Sequence, residues 1–290
     1  MYSNIKTCVL YGLSGNIVEV ETDISRGLPV FNIVGLPDMS IKESKERVRT
    51  AIKNSGYEFP LNRITINLAP ANLKKEGSQM DLAIAIGILK SSNIIQNDYL
   101  QDIVFIGELS LDGKINPVDG ALPMVISMRE EGINRFVIPY NNKEECSVIE
   151  DIEIIPVKTL KELVDYLNGE IIIEPYTNDN YHFQLSEKDY SVDFSDIKGQ
   201  ASLKRALEVA AAGAHNILMV GTPGSGKTLL AKCFAGILPP LELSEAIELT
   251  KIYSVSGLLE NNKPLITTRP FRSPHHSASA IGIIGGGTNP

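Results

Sequence analysis

The chain has no tryptophan, only three cysteines, and not one aspartate between Leu229 and Pro290. Each scarcity excludes something. Cys8, Cys146 and Cys233 lie far apart and form no CxxC pair. They supply neither a disulfide framework nor a zinc site, and a reducing cytoplasm is the simplest compartment. Long apolar runs are missing too. The longest, Met80 to Leu89, is interrupted by Asp81 and Gly87. It falls short of the roughly 20 apolar residues that a membrane-spanning helix needs. The opening MYSNIKTCVLYG lacks the charged-then-apolar order of a secretion signal. There is no internal repeat and no low-complexity tract. The net charge of −8 leaves no global basic footprint for nucleic acid, so any such contact has to be a local patch.

What is present is the composition of an ordinary globular protein. With 290 residues, 43% hydrophobic and 21% charged, the chain has material for about two domains. The first part alternates strand and helix patterns. PVFNIVGLP (29–37) reads as a strand, and SIKESKERVRTAIKNSG as a helix opened by a Ser40–Glu43 capping box and stopped at Gly56. Ile41, Val48, Ala51 and Ile52 share one face of it. Lys42, Lys45, Arg49 and Lys53 lie elsewhere, either as a solvated face balanced by Glu43 and Glu46 or as a nucleic-acid contact. RITINLAP (63–70) has the period of a half-buried strand. QMDLAIAIGILKSS reads as a buried helix, and IVFIGELSLDGKINPV (103–118) as a hairpin turning at Asp112-Gly113. RFVIP (135–139) and IEIIPV (152–157) read as buried strands, and TLKELVDYLNG (159–169) as a helix with a Thr159–Glu162 box. These patterns predict a first domain over 1–172, a polar linker over 173–191 and a second domain over 192–290.

The second domain carries the most specific signal. LKRALEVAAAGA (203–214) predicts a helix and HNILMVG (215–221) a buried strand. GTPGSGKT follows, with Gly221, Gly226, Lys227 and Thr228 fitting G-x-x-x-x-G-K-[ST]. In such a loop the backbone N–H groups of Gly221, Thr222, Pro223 (through its neighbours, since proline has none), Gly224, Ser225 and Gly226 wrap phosphate oxygens. The following helix N-terminus adds partial positive charge. Lys227 reaches the β and γ phosphates, and the Thr228 hydroxyl can ligate Mg²⁺. This predicts ATP with Mg²⁺ as the cofactors. Hydrolysis needs more, namely an acidic pair ending a second buried strand. After Thr228 the acids are Glu242, Glu245, Glu248 and Glu260, and none ends an apolar run. The residues therefore predict nucleotide binding without turnover, and no catalytic residue is assigned.

These stretches carry a family resemblance. DIKGQASLKRALEVAAAGAHNILMVGTPGSGKT and RPFRSPHHSASAIGIIGGGTNP resemble the AAA+ module of magnesium-chelatase-like ATPases, and the whole chain resembles their YifB/ComM branch. The resemblance implies that Ile197 and Gln200 line the adenine pocket; Ile197 is equally suited to core packing. It implies a cytoplasmic homo-hexamer with ATP between subunits, no membrane contact, and action on DNA, in branch migration or recombination during transformation. It also implies an Asp-Glu strand, a sensor, an arginine finger and a C-terminal helical domain, none of which appears in these 290 residues.

KKEGSQMDLAIAIGIL and GELSLDGKINPVDGALPMVISMREEGINRFVIP resemble the Lon-type protease domain, a fold shared with RadA-type recombination proteins. The implied fold class is a Lon-protease-like, ribosomal-protein-type α+β domain followed by the first part of a P-loop AAA+ α/β domain. The Lon nucleophile position is occupied by Gln79 and the lysine position by Leu122, which implies an inactive protease scaffold; Ser78 is one residue out of place. Three other readings stay open. These are a magnesium chelatase subunit, a non-catalytic nucleotide-binding or assembly fragment, and a Lon-type serine peptidase. His275-His276 lacks a third ligand nearby, and adjacent histidines are expected to point apart. Lys263, Arg269 and Arg272 give the acid-free tail a weak potential for DNA phosphate.

Overall fold

A computed structural model describes residues 1–177, 192–260 and 264–285. The segment 178–191, most of the expected linker, lies outside the described residues, as do Lys263 and 286–290. Two compact units emerge: Met1–Tyr181 with Thr250–Pro264, and His182–Leu249 with Leu265–Pro290. The sequence assigned Thr250–Pro264 to the second domain, whereas its contacts group it with the first unit.

The first unit is a mixed α/β sheet with helices on both faces. β1 (Tyr2–Tyr11) and β2 (Ser14–Ser25) form a long antiparallel ribbon, in register from Tyr2↔Asp23 to Tyr11↔Ser14. Sequence reading missed this ribbon, although Ile5, Val9, Val18 and Val20 alternate as core residues along it. β3 (Val30–Val34) and β4 (Arg63–Ala69) extend the sheet on one side. β5 (Ile103–Phe105) leads to the other. β6 (Glu108–Leu109) and β7 (Ile115–Asn116) are the short arms of the hairpin turning at Gly113, whose φ is +83°. β8 (Arg135–Pro139) and β9 (Glu153–Val157) complete the order β3-β4-β2-β1-β5-β8-β9. The pairs β3/β4, β1/β5, β5/β8 and β8/β9 run parallel, and β1/β2 and β2/β4 antiparallel.

Period-two alternation sorts the side chains into two cores. Val137, Ile155 and Phe105 face one core, and Phe136, Ile138, Ile154 and Val104 face the other. On the first side lie α1 (Met39–Asn54), α2 (Asp81–Ser91) and α5 (Leu160–Leu167). On the second lie α3 (Ala121–Glu130) and α4 (Lys143–Cys146). Lys90 is the sole α2 residue that is not buried, as expected of a helix packed on every side. Its Gly87 sits where a Cβ would lie 2.5 Å from Thr22 Oγ1, so a side chain there would push the helix off β2. α5 opens with the expected Thr159–Glu162 box.

The cap of α1 differs from the sequence reading. Asp38, two residues before Ser40, accepts the Ile41 N–H at 2.8 Å, and Ser40 lies inside the helix. Tertiary pairing holds Asp38 extended, because its N–H donates to Lys75 O at 3.1 Å while the Lys75 N–H donates to Leu36 O at 3.2 Å.

Lys75 itself is fully buried, and its ammonium donates to the Pro70 carbonyl. Burial lowers its pKa. Its unfolded form therefore binds a proton that the folded form holds less well, and this part of the stability rises with pH towards the ordinary lysine range. Lys75→Met, similar in volume and uncharged, is expected to raise the melting temperature by a few degrees at neutral pH, with the gain shrinking at alkaline pH. Calorimetry across pH checks both points; a gain that grows with pH contradicts the assignment.

Candidate nucleotide site

The second unit is built from helices: α6 (Ala201–Ala212), α7 (Lys227–Ile237), the first half of α8 (Leu243–Val255) and α9 (Ala280–Ile284). The buried strand expected over 215–221 is not formed. That stretch has no strand assignment, and Leu218 and Val220 are each 89% exposed. The physical reason lies in pairing. A strand satisfies its backbone groups only beside another strand, and among the described residues this unit contains none.

The glycine-rich loop nevertheless leads directly into a helix. Gly224 (φ +80°) and Gly226 (φ +83°) adopt left-handed conformations that L side chains rarely hold, and α7 begins directly at Lys227. The loop is pinned by Ser225 N–H to Thr222 O at 3.3 Å, and the first helical turn by Leu230 N–H to Gly226 O at 3.0 Å. The amides of Gly224, Gly226, Lys227 and Thr228 have no acceptor among the described residues. They form the orphan donors of a helix start. Lys227 Nζ bends back over the loop and donates to Gly221 O at 2.9 Å, Thr222 O at 2.7 Å and Ser225 Oγ at 3.2 Å. An anion set in the loop would meet that ammonium and the orphan amides together. Thr228 is exposed at the same mouth. The residues present thus fit a nucleotide phosphate chain, with Thr228 available to a Mg²⁺ ion.

Ile197 is buried in a small core with Leu207, Leu230 and Cys233, directly behind α7. Gln200 precedes α6 in a left-handed conformation (φ +58°) and is exposed. A cleft of about 400 Å³, which the sequence did not reveal, opens beside these elements between His215, Ile217, Met219, Phe234, Arg269 and Phe271. Of the acids after Thr228, Glu245 takes a structural position. Glu245 accepts from Arg269 Nη2 at 2.9 Å and from Glu242 N–H at 3.0 Å, and both contacts lower its pKa. Arg269 also donates to Pro239 O at 2.8 Å, so this arginine is committed within the fold. The two histidines depart from expectation. Their rings lie 4.1 Å apart, and His275 Nδ1 faces Ser277 Oγ at 2.7 Å. Among the described residues no group of three metal-ligating side chains exists.

The Lon-type positions are equally plain. Leu122 is buried on α3. Gln79 donates to Glu76 O at 2.8 Å, and the Ser78 hydroxyl donates to the Glu108 carboxylate. Among the described residues no helix is long and apolar enough to cross a membrane.

Both halves of the chain match models of one protein family. Residues 20–142 match subunit ChlI of Mg-chelatase, and residues 193–290 match magnesium chelatase, subunit ChlI. These matches place it among magnesium-chelatase-related proteins. The chain is 40% identical over 289 residues to competence protein ComM of Haemophilus influenzae, covering 96% of this chain and 55% of that protein. It is 39% identical over 289 residues to the uncharacterized protein YifB of Escherichia coli, covering 99% of this chain and 56% of that protein. It therefore belongs to the YifB/ComM family, and it spans about half the length of these relatives. A match to Lon protease 2 of Bacillus subtilis, 28% identical over 193 residues, covers 60% of this chain and 34% of that protein.

Proposed function

We propose that this chain binds ATP and Mg²⁺ through Gly221–Thr228, with Ile197 and Gln200 bordering the base, as the nucleotide-binding part of a DNA-acting AAA+ machine. The orphan amides of the loop, together with the Lys227 ammonium bent back over it, carry this reading. Family membership supports nucleotide and Mg²⁺ as the cofactors and a ring of subunits as the working form. The name competence protein, borne by the Haemophilus relative, supports DNA as the partner. Turnover is not assigned to the acids of this chain, since the described carboxylates after Thr228 lie in or beside α8 or, for Glu260, outside any helix or strand.

The chelatase reading draws on the family description of both matched segments. Binding of DNA by the chain, without porphyrin binding, separates the two.

The test is ATP binding and phosphate release by the 290-residue chain and by Lys227→Ala. Losing one charge-assisted contact of about 1.5–3 kcal/mol weakens affinity about 10- to 150-fold. Neither protein alone is expected to release phosphate. Equal ATP affinity in both proteins removes the proposed site. Lys227-dependent release shows that an acid of this chain, or of a neighbouring copy, completes it.

A further inference from the structure

The carboxyl ends of β8 and β9 carry a cluster that the phosphate loop does not use. Pro139 pairs with Val157 in parallel register, so the next residues, Tyr140 and Lys158, leave the sheet side by side. Lys158 Nζ stands 4.3 Å from the Tyr140 ring centre. Lys143, which opens α4, places its Nζ 3.9 Å from the same ring and 4.4 Å from the ring of Tyr176. Tyr176 is brought there by its N–H, which donates to Ile154 O on β9 at 2.8 Å.

Two ammonium groups thus converge on one half-exposed aromatic ring. Among the described residues neither is paired with a carboxylate. The nearby acids are committed to neutral donors. Glu144 accepts from the Tyr176 hydroxyl at 2.7 Å, and Glu162 from the Lys158 N–H at 2.7 Å. Glu145 is buried and accepts from Asn142 and Ser254, each at 2.6 Å. The lysines hold the Tyr140 phenol below its usual range, which records the positive field at this spot.

Ligands of open α/β sheets gather beyond the carboxyl ends of parallel strands. Lysines interleaved with aromatic faces suit single-stranded nucleic acid, with phosphates on the ammonium groups and a base on the ring. We infer that Tyr140, Lys143 and Lys158 form a contact site for single-stranded DNA on the N-terminal unit. This inference rests on the DNA reading above, and it places one contact on a surface without a phosphate loop.

The experiment is fluorescence anisotropy of a labelled oligo-dT with the full chain, titrated across salt. All three side chains are at least partly exposed, so the variants are expected to melt with the wild type. Lys143→Ala/Lys158→Ala is expected to weaken binding about tenfold or more near 0.1 M salt. It should also flatten the log–log salt slope by about 1.4, at about 0.7 per lost phosphate contact on a single strand. Tyr140→Leu is expected to cost about fivefold at an unchanged slope, because it removes stacking and not charge. If the wild type binds but the lysine pair leaves affinity and slope unchanged, this site is overturned and the DNA reading stands. If the wild type binds no oligonucleotide, both fall. If millimolar inorganic phosphate displaces the strand completely, and the lysine pair is needed for phosphate binding, the cluster is a site for free phosphate and the DNA assignment is overturned.

Discussion

Asp81→Ala is expected to destabilise the first unit by about 3–5 kcal/mol, which chemical denaturation reads directly. Asp81 is the first residue of α2 and is fully buried. It accepts from Arg47 Nε at 2.8 Å and Nη2 at 3.2 Å, from Ser44 Oγ, and from Leu109 N–H at 3.4 Å. Removing the carboxylate leaves Arg47, whose side chain is 24% exposed, and the buried Ser44 hydroxyl without their shared acceptor. The cost is that of an uncompensated charge, more than the worth of the pair itself. Arg47→Met in the Asp81→Leu background is therefore expected to recover most of the loss. Burial raises the Asp81 pKa more than its donors lower it. The folded state then holds a proton that the unfolded state releases. Wild type is expected to gain on Asp81→Asn as pH falls towards the ordinary carboxylate range and to lose that gain as pH rises. A flat difference across pH, or an Asp81→Ala cost below about 1 kcal/mol, would show that the network is surface-like.

Gly35→Ala is the other large effect. Gly35 follows β3 with φ +96°, and a Cβ there would overlap the Leu68 carbonyl oxygen and sit 2.9 Å from the Leu68 nitrogen. Backbone atoms of a paired strand cannot rotate away, so β3 must shift against β4. Dihedral strain and overlap together are expected to cost on the order of 3–5 kcal/mol. Gly56 supplies the control. Its φ is +90° and nothing lies within 4 Å of its would-be Cβ, so Gly56→Ala carries the strain alone. Equal melting temperatures for the two variants would remove the overlap argument.

Several features were legible from local pattern. β4 buries Ile64, Ile66 and Leu68 in strict alternation, α2 is packed on every side, and α5 carries its capping box, because short-range periodicity and capping are written in neighbouring residues. The glycine-rich turn before α7 follows from local spacing too. Its glycines, lysine and threonine sit within eight residues, and the left-handed Gly224 and Gly226 form the turn that their spacing requires.

What stayed hidden depends on partners distant in sequence. The cap of α1 moved from Ser40 to Asp38 because Lys75, 37 positions later, holds the backbone there extended. Lys75, a residue type that ordinarily lies in solvent, is itself fully buried. The 215–221 stretch is apolar enough for a strand, yet hydrogen bonding to a neighbouring strand decides whether one forms. Thr250–Pro264 was read with the phosphate-loop half, but Ser254 bonds to Glu145 and Gly120 of the first unit. The sequence by itself carried the family resemblance, and its local patterns determined β4, α2, the opening of α5 and the glycine-rich turn before α7. Tertiary structure alone decided which charges are buried, where α1 begins, and that Tyr140, Lys143 and Lys158 meet. Strand register brings residues 18 positions apart to the same edge, and no local pattern encodes that register.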